Sequence, residues 1–266
     1  MPEDEQAKVD RYLQPDARRK GLLVRGYLRG VLSFFARLWG SNIAPNEWQF
    51  RYLEKGKPVL SAVSFAASPL VFNLSHSGDY LLIALTRVDP ALTGNGLKLG
   101  VDIERLRPST NIYSILDNYF TAQEREALLA LPEDEQRQRF FDLWALKESF
   151  IKATGLGLAQ PLKSFHFVFD NSEANVEGKE RLALQHNERL ALHKSRAEDE
   201  PASEPLVIQR DITLRKHQGD EDNWQVLLGK LNSQYRFALS LNASVRPALS
   251  ASVVRIDEVL QLLKGE

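Results

Sequence analysis

Two acidic side chains lie two residues apart in the segment Gly100–Glu104, which reads GVDIE. The surrounding apolar residues predict a β-strand. Because side chains alternate along a strand, Asp102 and Glu104 are expected to point to the same face. Carboxylates that share a face repel each other unless a cation intervenes. A D-x-E pair is also common on solvated edge strands, and taken alone this segment leaves that interpretation open.

A second group of polar side chains follows helical spacing. Trp144, Glu148 and Lys152 are four residues apart in the segment 137–154, which is predicted to be the strongest helix of the chain. At about 100° per residue they form a row along one face. Glu148 and Lys152 also match an ordinary surface ion pair, but their large apolar neighbours place them at a buried boundary. Glu148 and the acidic pair on the strand together offer three carboxylates to a hard cation such as Mg²⁺, and the Lys152 ammonium would lie nearby.

Two further segments carry polar residues whose role stays open. Thr121 followed by Glu124 matches a helix capping box, which explains this glutamate without excluding chemistry. The segment Asn73–Gly78, NLSHSG, is predicted to be a loop before the strand Tyr80–Val88. Its adjacent serine and histidine make a weak hydrolase site, since no G-x-S-x-G elbow exists. A phosphate-binding loop is favoured, with a polar turn as the alternative.

The predicted elements favour an α+β fold with two similar halves. A basic helix over 16–40 precedes a predicted hairpin of 80–88 with 97–103, and the helix 137–154 precedes another pair of strands. The segment YLLIAL in the first hairpin loosely resembles YRFALS near the C-terminus. We predict these boundaries: 1–108 for the N-terminal half, 109–245 for the C-terminal half and 246–266 for a tail.

The composition is that of an ordinary soluble protein. Hydrophobic residues make up 43% and charged residues 26% of the 266 residues, and the net charge is −1. This balance indicates no nucleic acid or membrane partner, and no apolar stretch approaches the roughly 20 residues that cross a bilayer. The lack of cysteine excludes disulfides, thiolate metal sites and cysteine nucleophiles. We expect a cytoplasmic protein with one large domain or two smaller ones.

Several motifs occur in a characteristic order along the chain. KGKP and FNLSHSG precede GVDIE, FTAQE and WALKESFIK, which match G-[VI]-D-[IV]-E, F-[TS]-x-x-E and W-x-x-K-E-[SA]-x-x-K. Over roughly residues 5–170 the chain resembles the 4′-phosphopantetheinyl transferase superfamily, in its larger pseudo-dimeric type that activates peptide synthetases and other carrier proteins. The resemblance implies a monomer whose active site lies between two α+β halves.

The resemblance also implies a reaction. The phosphopantetheine arm of coenzyme A would pass to a serine of an apo acyl or peptidyl carrier protein, with Mg²⁺ required and adenosine 3′,5′-bisphosphate released. Fatty-acid, polyketide and nonribosomal carriers are all compatible with the sequence. Acidic carrier helices would meet basic residues within 163–216.

Individual roles follow from the same resemblance. Asp102, Glu104 and Glu148 would hold Mg²⁺ against the pyrophosphate, and Lys152 would stabilise or protonate the leaving group. Glu124 would act as the base, directly or through water, or as a further metal ligand; in the other reading Glu148 is the base. The implied coenzyme A residues are Lys8 and Arg19 at the 3′-phosphate, His76 near it, and Lys55, Lys57, Asn73 and Ser75 along the cleft.

Two other classes of protein stay open. A Mg²⁺-dependent phosphohydrolase of coenzyme A or a nucleotide would use the same acids with water as nucleophile. A non-catalytic coenzyme A-binding protein would keep the cleft without turnover.

Overall fold

A computed structural model describes residues 3–89, 96–169, 179–182, 184–185, 206–216, 223–243, 248–252 and 254. The helices are α1 (Glu3–Asp10), α2 (Pro15–Leu38), α3 (Ala62–Ala67), α4 (Ile112–Tyr119), α5 (Ala122–Leu129) and α6 (Glu133–Thr154). The strands are β1 (Phe50–Tyr52), β2 (Pro58–Leu60), β3 (Leu70–Ser77), β4 (Tyr80–Arg87), β5 (Leu99–Arg105), β6 (Phe165–Phe169), β7 (Lys179–Leu182), β8 (Leu184–Gln185), β9 (Leu206–Gln209), β10 (Ile212–Lys216), β11 (Trp224–Asn232), β12 (Tyr235–Asn242) and β13 (Ala251–Ser252). This mixture of helices and mainly antiparallel strands confirms the predicted α+β class.

The first half has a core of its own beneath α2. This helix starts at Pro15, whose ring suits the first helical position. Its buried stripe meets the hairpin strands and Trp48; the cluster comprises Leu28, Leu32, Ala36, Trp48, Leu60, Leu70 and Phe72. The Arg29 guanidinium on α2 grips the Glu5 carboxylate of α1 through two contacts of 3.0 and 3.1 Å. Helix α1 is therefore fixed against α2 by a buried, bidentate pair.

The second half is built around α6. The helix begins after Pro132 with an acidic first turn, Glu133 to Glu135, which favours the positive end of the helix dipole. It ends at Gly155, whose φ of +74° is the left-handed conformation that commonly ends a helix. Its aromatic face packs with α4, α5, β6 and β12 in the largest core cluster. Within the described residues, no helix combines the length and apolar character needed to span a bilayer.

The predicted hairpin between 80–88 and 97–103 is wrong. Strand β4 pairs with β3 through a two-residue turn at Gly78, whose φ is +58°. Strand β5 pairs instead with β12, at one end of the sheet β5-β12-β11-β9-β7. The cause lies in the segment Asn73–Gly78, which was predicted to be a loop: all but its last residue belong to β3, and three of its polar side chains turn toward β5 rather than toward solvent.

Three alternate side chains of β3 bridge to β5. Asn73 Oδ1 accepts a hydrogen bond from the Val101 amide at 2.9 Å, and Ser77 Oγ accepts one from the Arg105 amide at 3.2 Å. Between them, Ser75 Oγ donates to the Asp102 carboxylate. The polar face of β3 thus satisfies groups of β5 that a neighbouring strand would otherwise bond.

Both halves pair a long helix with a hairpin, and the matching hairpins touch. Tyr80 opens β4 and Tyr235 opens β12, and their rings lie edge to face with centroids 4.7 Å apart. Strand β5 belongs to the first predicted half, but it pairs with β12 of the second half. The two halves are therefore joined by backbone hydrogen bonds within one sheet.

The boundary predicted near residue 108 stays a prediction. Most of the predicted tail lies outside the described residues.

Candidate active site

Helix α6 lies directly on the face of β5 that carries the acidic pair. A Cβ on Gly100 would overlap the Ser149 carbonyl oxygen and the Ala153 nitrogen of this helix. On the adjacent strand, Ser240 Oγ and Ser149 Oγ are hydrogen-bonded at 2.8 Å. The glycine of GVDIE therefore permits a close approach of helix backbone to strand backbone, and this approach brings α6 side chains to Asp102.

The Asp102 carboxylate, the Lys152 ammonium and the Ser75 hydroxyl form a triangle of hydrogen bonds. Asp102 Oδ1 accepts hydrogen bonds from Lys152 Nζ at 2.6 Å and from Ser75 Oγ at 2.8 Å. Lys152 Nζ also donates to Ser75 Oγ at 2.7 Å, which closes the triangle. Asp102 is only 3% exposed. Its second oxygen, Oδ2, is buried and has no hydrogen-bond partner among the described residues, so one strong acceptor is left for a ligand.

Two further carboxylates lie within the field of Asp102. Burial raises the pKa of Glu104 to about 7, the Asp102 and Glu148 charges add to this rise, and Arg107 and Lys152 oppose it. Burial likewise raises the pKa of Glu148, with Asp102 adding to the rise and Lys152 opposing it. The acids predicted on β5 and α6 are therefore neighbours whose charges repel each other.

Asp102, Glu104 and Glu148 fit a hard divalent cation by their chemistry, although their side chains are not arranged as a complete coordination site. Among the described residues, no group of three acidic or histidine side chains is already placed as a metal cluster. The ammonium of Lys152 neutralises Asp102 in the present arrangement. The unpartnered Oδ2 and the two carboxylates with raised pKa values supply oxygen donors of the kind that Mg²⁺ prefers, and a cation would relieve their repulsion.

Lys57, which was expected to line the coenzyme A cleft, is half-buried and bonds to the main chain. Its ammonium donates to the Leu99 carbonyl at 2.9 Å and to the Ala153 carbonyl at 3.0 Å. Burial lowers its pKa to about 8. Lys57 thus ties the loop after β1 to the start of β5 and the end of α6, next to the Gly100 contact.

The other predicted coenzyme A residues divide into two groups. Asn73 and Ser75 are buried on β3 and bonded to β5, as described above. The remaining four residues also belong to the first half. Lys8 Nζ lies 3.5 Å from the Tyr52 ring centroid, and Lys55 Nζ pairs with the Glu54 carboxylate at 2.8 Å. His76 is exposed on β3, and Arg19 lines an open cleft of about 290 Å³ with Tyr12 and Leu22.

Glu124 forms the predicted capping box at the start of α5. The Thr121 amide donates to Glu124 Oε2 at 3.0 Å, and the Glu124 amide donates to Thr121 Oγ at 3.3 Å. The carboxylate also meets Lys147 Nζ at 2.9 Å, and neither side chain is more than 1% exposed. The bonds of Glu124 therefore run to α5, β6 and α6, away from the triangle at Asp102.

Sequence reasoning also missed the buried ion pair between Arg236 and Asp142. Arg236 Nε lies 3.1 Å from Asp142 Oδ1, between β12 and α6. Arg236 is directly opposite Glu104 in the β5–β12 pairing. A charged residue inside the apolar strand YRFALSLN was the available signal, because such a residue needs a buried partner.

Comparisons with known proteins point to one family. The family model for the 4′-phosphopantetheinyl transferase superfamily matches residues 98–206, which include the acidic pair of β5 and all of α6. The 4′-phosphopantetheinyl transferase HetI of Nostoc sp. is 34% identical over 160 residues, which cover 60% of this chain and 62% of that protein. The 4′-phosphopantetheinyl transferase Sfp of Bacillus subtilis is 33% identical over 162 residues, which cover 61% and 63%.

The chain spans about three fifths of the length of these curated relatives. A crystal structure of a holo-(acyl-carrier-protein) synthase from Bacillus anthracis, in complex with CoA (3′,5′-ADP), also matches. It is 14% identical with a TM-score of 0.35, over 54% of this chain and 93% of that one. A likeness this low supports no statement about the present site.

Proposed function

Because this chain belongs to the 4′-phosphopantetheinyl transferase superfamily, we propose that it transfers the phosphopantetheine arm of coenzyme A to a carrier-protein serine. The reaction would require Mg²⁺ and release adenosine 3′,5′-bisphosphate. One observation carries the proposal: Asp102 and Lys152 meet at 2.6 Å, from the two motifs that the family shares. A binding protein without turnover has no evident use for three acids that repel one another at the same point.

The proposed cation would be held by Asp102, Glu104 and Glu148. When bound, Mg²⁺ would neutralise charge on the pyrophosphate of coenzyme A. Lys152, now on Asp102 Oδ1, would donate a charged hydrogen bond or a proton to the leaving phosphate oxygen. Ser75 Oγ would orient that ammonium, since it accepts from Lys152 and donates to Asp102.

Glu148 is our choice for the base that accepts the serine proton. In the protein without the cation, burial and Asp102 raise its pKa, and a cation bound beside it would oppose this rise and keep the carboxylate ionised, ready to accept a proton. Glu148 also lies on the same row of α6 as Lys152, so both groups would face a phosphate bound at Asp102. The nucleophile comes from the carrier protein, which is why no cysteine or activated serine is required here.

Several wider features belong to the same proposal. Lys8, Arg19, Lys55 and His76 would bind the phosphates of coenzyme A by charge, with Lys57 and Asn73 near the cleft. An apo acyl or peptidyl carrier protein would be the partner. We propose that the enzyme acts in the cytoplasm as a monomer, with its active site between the halves.

Intact-protein mass spectrometry tests the function. Purified protein, coenzyme A and Mg²⁺ are incubated with several apo carrier proteins, and each carrier is compared with its serine→alanine variant. We expect a gain of one phosphopantetheine mass on an intact carrier and none on the variant or in excess chelator. Cleavage of coenzyme A without any carrier would instead favour the phosphohydrolase, and binding without turnover would favour a non-catalytic protein.

A further inference from the structure

Lys147 of α6 occupies a closed site on the opposite side of the helix from the proposed active site. Its ammonium contacts Glu124 Oε2 at 2.9 Å and donates to the carbonyls of Leu162 at 2.8 Å and Phe165 at 3.0 Å. A lysine ammonium has three N–H donors, so this set satisfies all of them. The ring of Phe165 covers the group at 4.5 Å from its centroid.

The Glu124 carboxylate is equally well satisfied. Oε2 accepts from the Thr121 amide and hydroxyl at 3.0 and 3.2 Å, in addition to the Lys147 contact, and Oε1 accepts from the Phe167 amide at 3.2 Å. The side chain is 0% exposed. A general base must reach the proton it removes, directly or through one water. Every partner of this carboxylate belongs to the interior of the second half.

Lys147 and Glu148 are consecutive on α6, so their side chains leave the helix about 100° apart. Fixing Lys147 against α5 and β6 consequently fixes the rotation at which Glu148 and Lys152 face β5. The Ser149–Ser240 hydrogen bond and the Gly100 contact set the distance of the helix from the sheet. The buried pair contributes the remaining constraint, which is the helix rotation.

We propose that Glu124 is a positioning residue and not the base: together with Lys147 it holds α6 at the rotation that aims Glu148 and Lys152 at Asp102. This inference rests on the proposed transferase function. It assigns the proton transfer to Glu148 and gives the glutamate of FTAQE an indirect role. Removing one member leaves a buried charge without its partner, whereas removing both leaves none.

The test compares Glu124→Gln, Lys147→Met and the double variant in the carrier transfer assay, with melting temperatures measured in parallel. Each single variant should lose at least about tenfold in kcat and melt at a lower temperature. The double variant should regain most of the kcat that each single variant loses, and it should keep the wild-type pH profile of kcat. Glu126→Gln, an exposed change on the same helix, is the matched control and should leave kcat unchanged.

A true base gives a different pattern. Loss of the base costs about 10²- to 10⁴-fold, and neutralising Lys147 cannot restore it. A folded double variant that is as inactive as Glu124→Gln would therefore overturn the inference. If the wild type transfers nothing to any carrier, the proposed function itself fails, which is a separate result.

A structure of the wild type with coenzyme A and Mg²⁺ decides the matter if the double variant does not fold. We expect Glu124 Oε2 to remain on Lys147 Nζ in that complex. A Glu124 carboxylate that has left Lys147 and lies within hydrogen-bond reach of the reacting phosphate or of a water beside it would overturn the proposal.

Discussion

Lys152 Nζ lies 2.6 Å from Asp102 Oδ1, and this contact joins the last turn of α6 to the middle of β5. The Asp102 side chain is 4% exposed and that of Lys152 is 30% exposed. The ammonium therefore has access to solvent or substrate, whereas the carboxylate depends on its partners. This difference in exposure suits a lysine that would leave Asp102 to contact a substrate phosphate.

Asp102→Asn tests the acidic end of this contact. The change keeps the size of the side chain but removes the charge that Lys152 faces and an oxygen donor for the cation. Transfer should fall by at least about 10²-fold, as for loss of a group that stabilises charge in the transition state. Mg²⁺ should raise the melting temperature of the wild type and not that of the variant. Turnover near the wild-type rate would contradict the assignment.

Ser75→Ala tests the hydroxyl that bridges the pair. Hydrogen bonds to charged groups contribute about 1.5–3 kcal/mol, so loss of this bridge should lower kcat by about tenfold or more. Ser77→Ala is the matched control, because Ser77 lies on the same face of β3 but accepts a hydrogen bond from the Arg105 amide instead of contacting Asp102 and Lys152. Both variants should lose similar stability in urea denaturation. Equal effects on kcat would show that the Ser75 hydroxyl has no special role.

Gly100→Ala tests the contact between α6 and β5. The added methyl group would push the helix away from the strand, and overpacking of this kind costs about 1–3 kcal/mol. We expect a lower free energy of unfolding and a large loss of turnover, because Lys152 would move away from Asp102. Gly26→Ala is the control: no atom lies within 4 Å of its added Cβ, and it should stabilise α2 by about 0.5–1 kcal/mol. A normal rate in Gly100→Ala would refute the close-contact argument.

Asp142 should make stability depend on pH. Burial raises its pKa from 3.8 to about 6, although Arg236 and Arg139 oppose the rise. Between these values the folded protein binds more protons at this site than the unfolded chain, so its stabilising contribution falls as pH rises. The unfolding free energy of the wild type minus that of Asp142→Asn should therefore fall from pH 3.8 to pH 6. A difference that grows over this range would show that Arg236 dominates and depresses the pKa.

Local patterns predicted the elements better than their partners. The helix 137–154 and the Thr121–Glu124 capping box depend on contacts between near neighbours in sequence, and both were found. The additional first turn of α6 was missed, although its acidic residues after Pro132 are a recognisable helix start. The acidic pair was also expected on one face of a strand, and α6 covers that face.

Strand pairing and buried charges could not be predicted in this way. Strand β5 is apolar enough to pair with several strands, and nothing local selects β12 over β4. Asn73 and Ser75 appeared to be loop residues, because the strand that accepts their hydrogen bonds is distant in sequence. Lys57 and Lys147 likewise donate to main-chain carbonyls of distant residues, and a sequence pattern does not indicate such contacts.

The most direct test of the central claim is to quantify both products of a single reaction by liquid chromatography and mass spectrometry. The reaction contains coenzyme A, Mg²⁺ and an apo carrier, with wild-type protein or Asp102→Asn. We predict equal amounts of modified carrier and adenosine 3′,5′-bisphosphate from the wild type, and at most about a hundredth as much from the variant. Nucleotide release without carrier modification, or equal yields from both proteins, would contradict the account.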